Sequence, residues 1–251
     1  MREYWPKGPR QGSVAVALIL ASCGAAFSLT NSTLPAPGVV SGALGKKHAK
    51  VVYGPARVVD GDTLDINSLR IRLEGIDTPE PGQTCPRRLV GTWRCGRAAT
   101  RALSKLVSGK PLHCHGNSYD DYGRLIATCH SDGTNINATM VKNGHAWAFV
   151  KYSTTYKAEE RAARVRKVGV WSGGKAEAPW DYRARRWAHA KQAAPNGCAI
   201  KGNISASGKR IYHAPWSPWY DKTYVDVSKG ERWFCSERDA KRAGWHAAGA
   251  V

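Results

Sequence analysis

Residues 60–80 read DGDTLDINSLRIRLEGIDTPE, and the rest of the chain is best understood outward from them. The stretch holds Asp60, Asp62, Asp65, Glu74, Asp77 and Glu80, six of the nineteen carboxylates in a chain of formal net charge +19. In 69–73 the aliphatic residues Leu69, Ile71 and Leu73 alternate with Arg70 and Arg72. That period of two puts the aliphatics on one face of a strand and both arginines on the other. Segments 56–59 and 63–66 carry the same strand character, and turns fall at Asp60-Gly61-Asp62 and Asn67-Ser68.

Downstream, Ala98, Leu103, Leu106 and Val107 recur at helical spacing in 97–107, and Gly109 ends that segment. Segments 112–115 and 125–129 read as two strands of a hairpin turning through Asp120-Asp121-Tyr122-Gly123-Arg124. Shorter helices are expected over 135–143, stopped by Gly144, and over 154–168, stopped by Gly169. About five strands with about three helices suggest an α+β fold, with a small, partly open barrel as the leading candidate. This barrel domain is expected over 51–187. Residues 188–251 form a second, small unit of unknown role. Its last 54 positions, 198–251, hold four of the ten Trp and two Cys but little aliphatic material, as in a domain too small to bury a core without staples.

At 251 residues, 42% hydrophobic, with ten Trp and ten Tyr, the chain is globular and not disordered. Its thirty-eight Lys and Arg are spread along the sequence. Such a surface suits a polyanionic partner: nucleic acid, anionic polysaccharide or a membrane surface. The N-terminus reads as an export signal, with Arg2, Lys7 and Arg10 ahead of the apolar run 14–21, which is too short to span a bilayer. Leu20-Ala21-Ser22-Cys23 is similar to a lipobox whose Cys is lipidated. Cleavage near Ala25-Ala26, or retention of 13–29 as a marginal anchor, are the alternatives. Residues 1–23 are thus a signal peptide or membrane anchor, and 24–50 a flexible spacer rich in Ser, Thr, Pro, Gly and Ala. The destination is the periplasm, the outer surface or the medium.

Six further cysteines in an exported chain imply three disulfides, for which sequence alone allows fifteen pairings. Cys114 and Cys129 would face each other across the hairpin, which favours their pairing. Cys85 with Cys95 would close the loop 81–95, which carries Arg87, Arg88 and Arg94, and Cys198 with Cys235 would bracket the second unit. A zinc site of Cys198, His213, Cys235 and His246 is the weaker alternative, since its spacings fit no standard finger.

Asp62, Asp77 and Glu80 are hard oxygen donors of the kind that bind a hard cation, with a backbone carbonyl and waters completing the shell. A cation there would let an acidic cluster meet a polyanion. Arg72 and Arg124 offer planar bidentate donors for a phosphate, and Glu80 is placed to act as a general base. Taken singly, each also has an ordinary role: the acids as turn and helix-entry residues, the arginines on solvated faces. Their joint occurrence favours the chemistry.

Four motifs occur in order: Val59-Asp60-Gly61-Asp62-Thr63-Leu64; Ile71-Arg72-Leu73-Glu74-Gly75-Ile76-Asp77-Thr78-Pro79-Glu80; Asp120-Asp121-Tyr122-Gly123-Arg124; and Met140-Val141-Lys142-Asn143-Gly144-His145-Ala146-Trp147. Over roughly 51–187 the chain resembles the thermonuclease family, the staphylococcal nuclease-like OB-fold enzymes. The resemblance implies a Ca²⁺-dependent phosphodiesterase cutting single-stranded or melted DNA and RNA to 3′-phosphate products. It implies Asp62, Asp77 and the Thr78 carbonyl as metal ligands, Arg72, Glu80 and Arg124 as catalytic residues, and Tyr122 and Tyr152 beside the bound nucleotide. Val150 stands where the type enzyme has another Tyr. DNA and RNA are the expected partners, the membrane enters only through the N-terminal signal or lipid, and the chain is expected to be a monomer. The rival is a noncatalytic envelope module that holds nucleic acid or anionic polysaccharide.

Overall fold

The computed structural model of the protein describes residues 49–249. The expected signal with its Cys23, and nearly all of the spacer, lie outside the described residues. Among the described residues, no helix is long and apolar enough to cross a membrane.

In chain order the first half comprises β1 (Lys50–Pro55), β2 (Arg57–Val58), β3 (Thr63–Ile66), β4 (Leu69–Leu73), β5 (Ile76–Asp77), β6 (Cys85–Pro86), β7 (Thr92–Trp93) and α1 (Cys95–Val107). There follow β8 (Pro111–Tyr119), β9 (Leu125–Ser131), β10 (Thr134–Asn135), α2 (Ile136–Lys142), β11 (Trp147–Ala148) and α3 (Lys157–Val165). The main sheet runs β1-β8-β9-β4-β3-β2, with β10 added beside β9. β1 and β2 sit at opposite ends of that order, yet only Ala56 separates them. A sheet whose two edges are consecutive in the chain must roll up, so the sheet is a barrel and β1–β2 its one kinked closing strand. Counting that pair once gives five barrel strands in the OB-fold order, with β4 and β9 as the parallel pair.

Alternation fills the barrel. Leu125, Ala127, Cys129 and Ser131 of β9 point inward, as do Ile71 and Leu73 of β4, while Arg70 and Arg72 take the other face. The interior is continuous with Leu103 and Val107 of α1 and with Ile136, Met140 and Val141 of α2. Asn135 caps α2 through the Ala138 N–H (2.9 Å). The wholly buried Asn137 accepts the Cys129 N–H and donates to the Glu74 and Ala127 carbonyls, so each of its polar atoms is met. Cys114 and Cys129 are opposite in register and disulfide-bonded. Cys85–Cys95 and Cys198–Cys235 are the other two bridges.

Two helices go beyond the three expected. α4 (Pro179–Ala193) starts on a proline at its first turn, and α5 (Glu237–Arg242) is capped by Ser236. α4, PWDYRARRWAHAKQA, buries only Pro179 and Ala190, so it lacks the apolar stripe by which a helix is legible. α5 is a six-residue helix, too short for any period to show. Four short strands accompany them: β12 (Ile200–Ile204), β13 (Arg210–His213), β14 (Arg232–Phe234) and β15 (His246–Ala247), in the order β14-β12-β13-β15. Ile200, Tyr212, Phe234, Ala240 and Trp245 form their small core. A side chain at Gly202 would strike the Phe234 and Trp245 rings at 2.7 and 2.8 Å, so only glycine lets both close over β12.

α4 runs from the barrel into this tail. Its Arg186 donates to the Pro215 carbonyl (2.8 Å) and to both carboxylate oxygens of Asp221. The tail reaches back to the turn between β8 and β9. There the hydroxyls of Tyr122 and Tyr212 both donate to Glu237, at 3.2 and 3.0 Å, and the Lys241 ammonium lies 3.8 Å from the Tyr122 ring centroid. Burial raises the Glu237 carboxyl above its usual range, while the two hydroxyls pull it down. Because Tyr212 is only 2% exposed, its hydroxyl has no water to replace a lost acceptor. Glu237→Ala is therefore expected to lower the unfolding free energy by about 1–3 kcal/mol in urea denaturation, and Glu237→Gln, which keeps an acceptor, by less.

Candidate functional site

Asp60, Asp62, Asp77 and Glu80 converge because two turns and a strand fold them onto one end of the barrel, whereas Asp65 pairs with Arg57 and Arg70 and Glu74 meets the Thr128 hydroxyl. Asp60 accepts the Asp62 N–H (3.0 Å) in the turn between β2 and β3, and Asp62 is 3% exposed. One oxygen of Asp62 accepts both the N–H and the hydroxyl of Thr78, at 2.9 and 2.8 Å. The other accepts the Thr63 hydroxyl (3.3 Å) and is ion-paired with Arg72. Gly61 makes this approach possible: a Cβ there would lie 2.5 Å from the Thr78 hydroxyl.

Asp77 on β5 has no solvent exposure. Arg72 reaches it from β4 with a 2.8 Å hydrogen bond and also donates to the Ile76 carbonyl. Strand alternation carries Arg72 out of the apolar interior, and register sets it opposite Thr63. Glu80 follows after Pro79. Its N–H donates to the side-chain carbonyl of Gln83 (3.1 Å), and Gln83, itself 1% exposed, donates onward to the Glu177 carbonyl (2.8 Å) just ahead of α4. The first turn of α1 packs against the Glu80 carbonyl so closely that any side chain at Gly96 would overlap it. Burial pushes the Glu80 carboxyl up to about 7, against the pull of a neighbouring arginine, Arg183. Burial likewise raises Asp60, with Arg72 and Arg124 pulling it down.

Arg183 comes from α4 and escaped the sequence reading. It donates to both oxygens of Asp77, at 2.6 and 3.2 Å, and to Glu80 at 2.7 Å. Gln83 was missed too. Local pattern carries no signal for either: the partners of Arg183 lie 103 and 106 residues away, and the carbonyl that Gln83 meets lies 94 away.

Arg124 arrives from the turn between β8 and β9. Asp120 accepts the N–H groups of Tyr122 and Arg124 with one oxygen and the Arg124 guanidinium (2.6 Å) with the other. Gly123 takes the positive φ that the turn requires. Thus held, Arg124 donates to the Thr63 hydroxyl at 3.4 Å, next to Asp62. Asp62, Arg72, Asp77, Thr78, Glu80 and Arg124 are therefore brought together. Tyr122 stands beside Arg124, whose guanidinium lies 5.1 Å from its ring centroid. Tyr152 is 72% exposed and edge-on to Phe149, which stacks on Trp180 of α4. Among the described residues, no hydrogen bond joins Tyr152 to the carboxylates.

The donor chemistry fits a hard divalent cation. Asp62, Asp77 and the Thr78 carbonyl offer hard oxygen donors, and the two carboxylates are buried where an unneutralised charge would be costly. Among the described residues, no group of three or more His, Cys, Asp and Glu side chains is disposed to hold an ion. Two carboxylates, a carbonyl and water are thus the ligand set on offer. The cysteines of the alternative zinc site are joined to each other as Cys198–Cys235.

A family model described as staphylococcal nuclease homologue matches residues 70–173, and a second, described as ArfC, matches 180–247. The chain is 34% identical to an uncharacterized endonuclease of Escherichia coli O157:H7, over 55% of this chain and 86% of that protein. It is 32% identical to a micrococcal nuclease of Shigella flexneri, over 51% and 77%. It is also 32% identical to a succinoglycan biosynthesis protein, ExoI, of Rhizobium meliloti (strain 1021), over 49% of this chain and 66% of that protein. With an OB-fold barrel, the paired arginines and acids at its end, and these likenesses, the chain belongs to the staphylococcal nuclease family.

Proposed function

We propose that the chain is a Ca²⁺-dependent endonuclease that hydrolyses single-stranded or locally melted DNA and RNA to 3′-phosphate products. The observation that carries this reading is the convergence of Asp62, Asp77 and Glu80 with Arg72 and Arg124 at one end of the barrel. Asp62, Asp77 and the Thr78 carbonyl would hold Ca²⁺, which when bound supplies a positive centre that draws a phosphodiester toward the acids. Arg72 and Arg124 bind the equatorial phosphoryl oxygens and stabilise the charge that builds on them. Glu80 accepts a proton from the attacking water. The new P–O bond forms as the bond to the 5′-oxygen breaks, and that oxygen takes a proton from solvent, leaving a 3′-phosphate and a 5′-hydroxyl. Tyr152, exposed, would offer its aromatic face to an unpaired base, and Tyr122, its ring covered by Lys241 and Arg124, would stand beside the nucleotide.

Three disulfides belong to an oxidising compartment, which agrees with export to the periplasm, outer surface or medium through the N-terminal segment, as a monomer with or without a lipid on Cys23. Glu80→Gln tests the enzyme reading directly. With labelled single-stranded DNA and Ca²⁺, the parent chain is expected to cut and the variant only to bind. Binding by both without cleavage would turn the reading to a noncatalytic module for nucleic acid or anionic polysaccharide. Arg72→Ala and Arg124→Ala are each expected to lower kcat by about 10²–10³-fold.

The basic surface beside the site gives a second test. Arg97, Arg101 and Lys105 of α1 are exposed at successive i, i+4 positions. Such like-charge pairs destabilise a helix by about 0.2–0.5 kcal/mol each, so the stripe does not serve the fold. Arg97 and Arg101 also line a depression of about 660 Å³ with Arg87, Thr92, Trp93 and Arg94. We assign this face to the nucleic-acid backbone. In the inactive Glu80→Gln background, replacing Arg97 or Arg101 with Ala is expected to reduce the log–log salt slope of single-strand binding by about 0.7 per arginine, read by fluorescence anisotropy.

A further inference from the structure

We propose that Arg183 is a tethered internal cation that holds Asp77 of the cation site, together with the neighbouring Glu80, and thereby sets the site's affinity for the divalent ion. The inference rests on the reading of Asp62 and Asp77 as cation ligands and adds to it a residue from the opposite half of the chain. Arg183 belongs to α4, beyond residues 70–173 and inside the segment matched by the second family model.

A carboxylate offers about four lone-pair positions. On Asp62 all four are engaged, by the Thr78 N–H, the Thr78 hydroxyl, the Thr63 hydroxyl and Arg72. On Asp77 three are engaged, one by Arg72 and two by the fork of Arg183. Arg183 also bonds Glu80, so a single guanidinium bridges a buried aspartate and the proposed base. One lone pair of Asp77 stays open, on the oxygen that also accepts from Arg183, so a divalent ion meets the guanidinium there and must displace arginine hydrogen bonds to take more of the carboxylate. Arg72 has a second duty in such an exchange, since it would turn to the phosphate. Arg183 has none: α4 fixes it where it is, held by Arg186 to the Pro215 carbonyl and Asp221.

Two effects of removing Arg183 act in the same direction. Loss of the guanidinium frees two lone pairs on Asp77. It also removes a positive charge beside the incoming cation, where charge–charge terms are strong because the groups have little water around them. Lysine would keep the charge but not the planar fork, and should fall between.

The test is calorimetric titration of Ca²⁺ into the folded, metal-stripped chain, comparing the parent, Arg183→Ala, Arg183→Lys and Arg186→Ala, with Asp77→Asn to identify the site. Arg183→Ala is expected to bind Ca²⁺ at least about tenfold more tightly than the parent, with Arg183→Lys and Arg186→Ala, which loosens the tether, in between. A Ca²⁺-induced rise in thermal midpoint, larger for Arg183→Ala, reads the same difference without catalysis. If Arg183→Ala does not fold, the Arg183→Lys titration decides, and affinity no tighter than the parent's overturns the proposal. Equal or weaker binding by Arg183→Ala, with parent binding abolished by Asp77→Asn, overturns the role of Arg183 and leaves the cation site standing. Absence of binding in the parent and both Arg183 variants overturns the two together.

Discussion

The carboxylates of Asp62 and Asp77 have almost no contact with solvent, and that single fact constrains everything built around them. A buried charge left without a partner costs several kcal/mol, so each must be met by donors that the fold delivers in place. The fold supplies them from four directions: the Thr78 N–H and hydroxyl, the Thr63 hydroxyl, Arg72 along the outer face of β4, and Arg183 from α4. The small residues follow from the same demand. Gly61 exists to let Thr78 close on Asp62, and Gly96 to let α1 press against the carbonyl of Glu80. Each charge in the cluster is thus balanced by a donor that the fold holds in place.

What the sequence made legible was local. Asp62, Arg72, Asp77, Thr78 and Glu80 all fall within 60–80, where period-two alternation and turn residues state which way each side chain faces. Arg124 was legible because Asp120 and Gly123 are the residues its turn requires. The pairing of Cys114 with Cys129 followed from the hairpin alone. The barrel's closure was not legible in this way, since it depends on β1 and β2 lying at opposite ends of one sheet.

Arg183, Gln83 and Glu237 escaped for a common reason. Each acts on a partner between 94 and 115 residues distant, and nothing in the neighbouring sequence encodes that separation. α4 compounds the difficulty. Its aromatic and basic residues are distributed around the helix because it lies in a seam, touching the barrel on one side and the tail on the other. A helix with two half-buried faces shows no single stripe.

The seam has a consequence for how the tail should be regarded. Arg183 and Arg186 are three positions apart on one helix, hence neighbours on its surface, yet one grips Asp77 and Glu80 and the other grips Pro215 and Asp221. Beside α4, the turn carrying Glu80 lies against the tail as well, a Cβ on Gly82 falling 3.7 Å from Pro218 and 3.8 Å from the Tyr182 hydroxyl. At the far side of the site, Glu237 and Lys241 hold Tyr122, two residues before Arg124. The tail therefore touches the settings of three residues assigned to the chemistry, Asp77, Glu80 and Arg124, without replacing any of them. An appendage that served only as a tether would have no need of buried ion pairs to Asp77 and Glu80, which are costly to assemble and unforgiving of misplacement. Their presence argues that residues 179–249 are part of the site's construction, and that the balance of charge at the barrel's end is set from both halves of the chain.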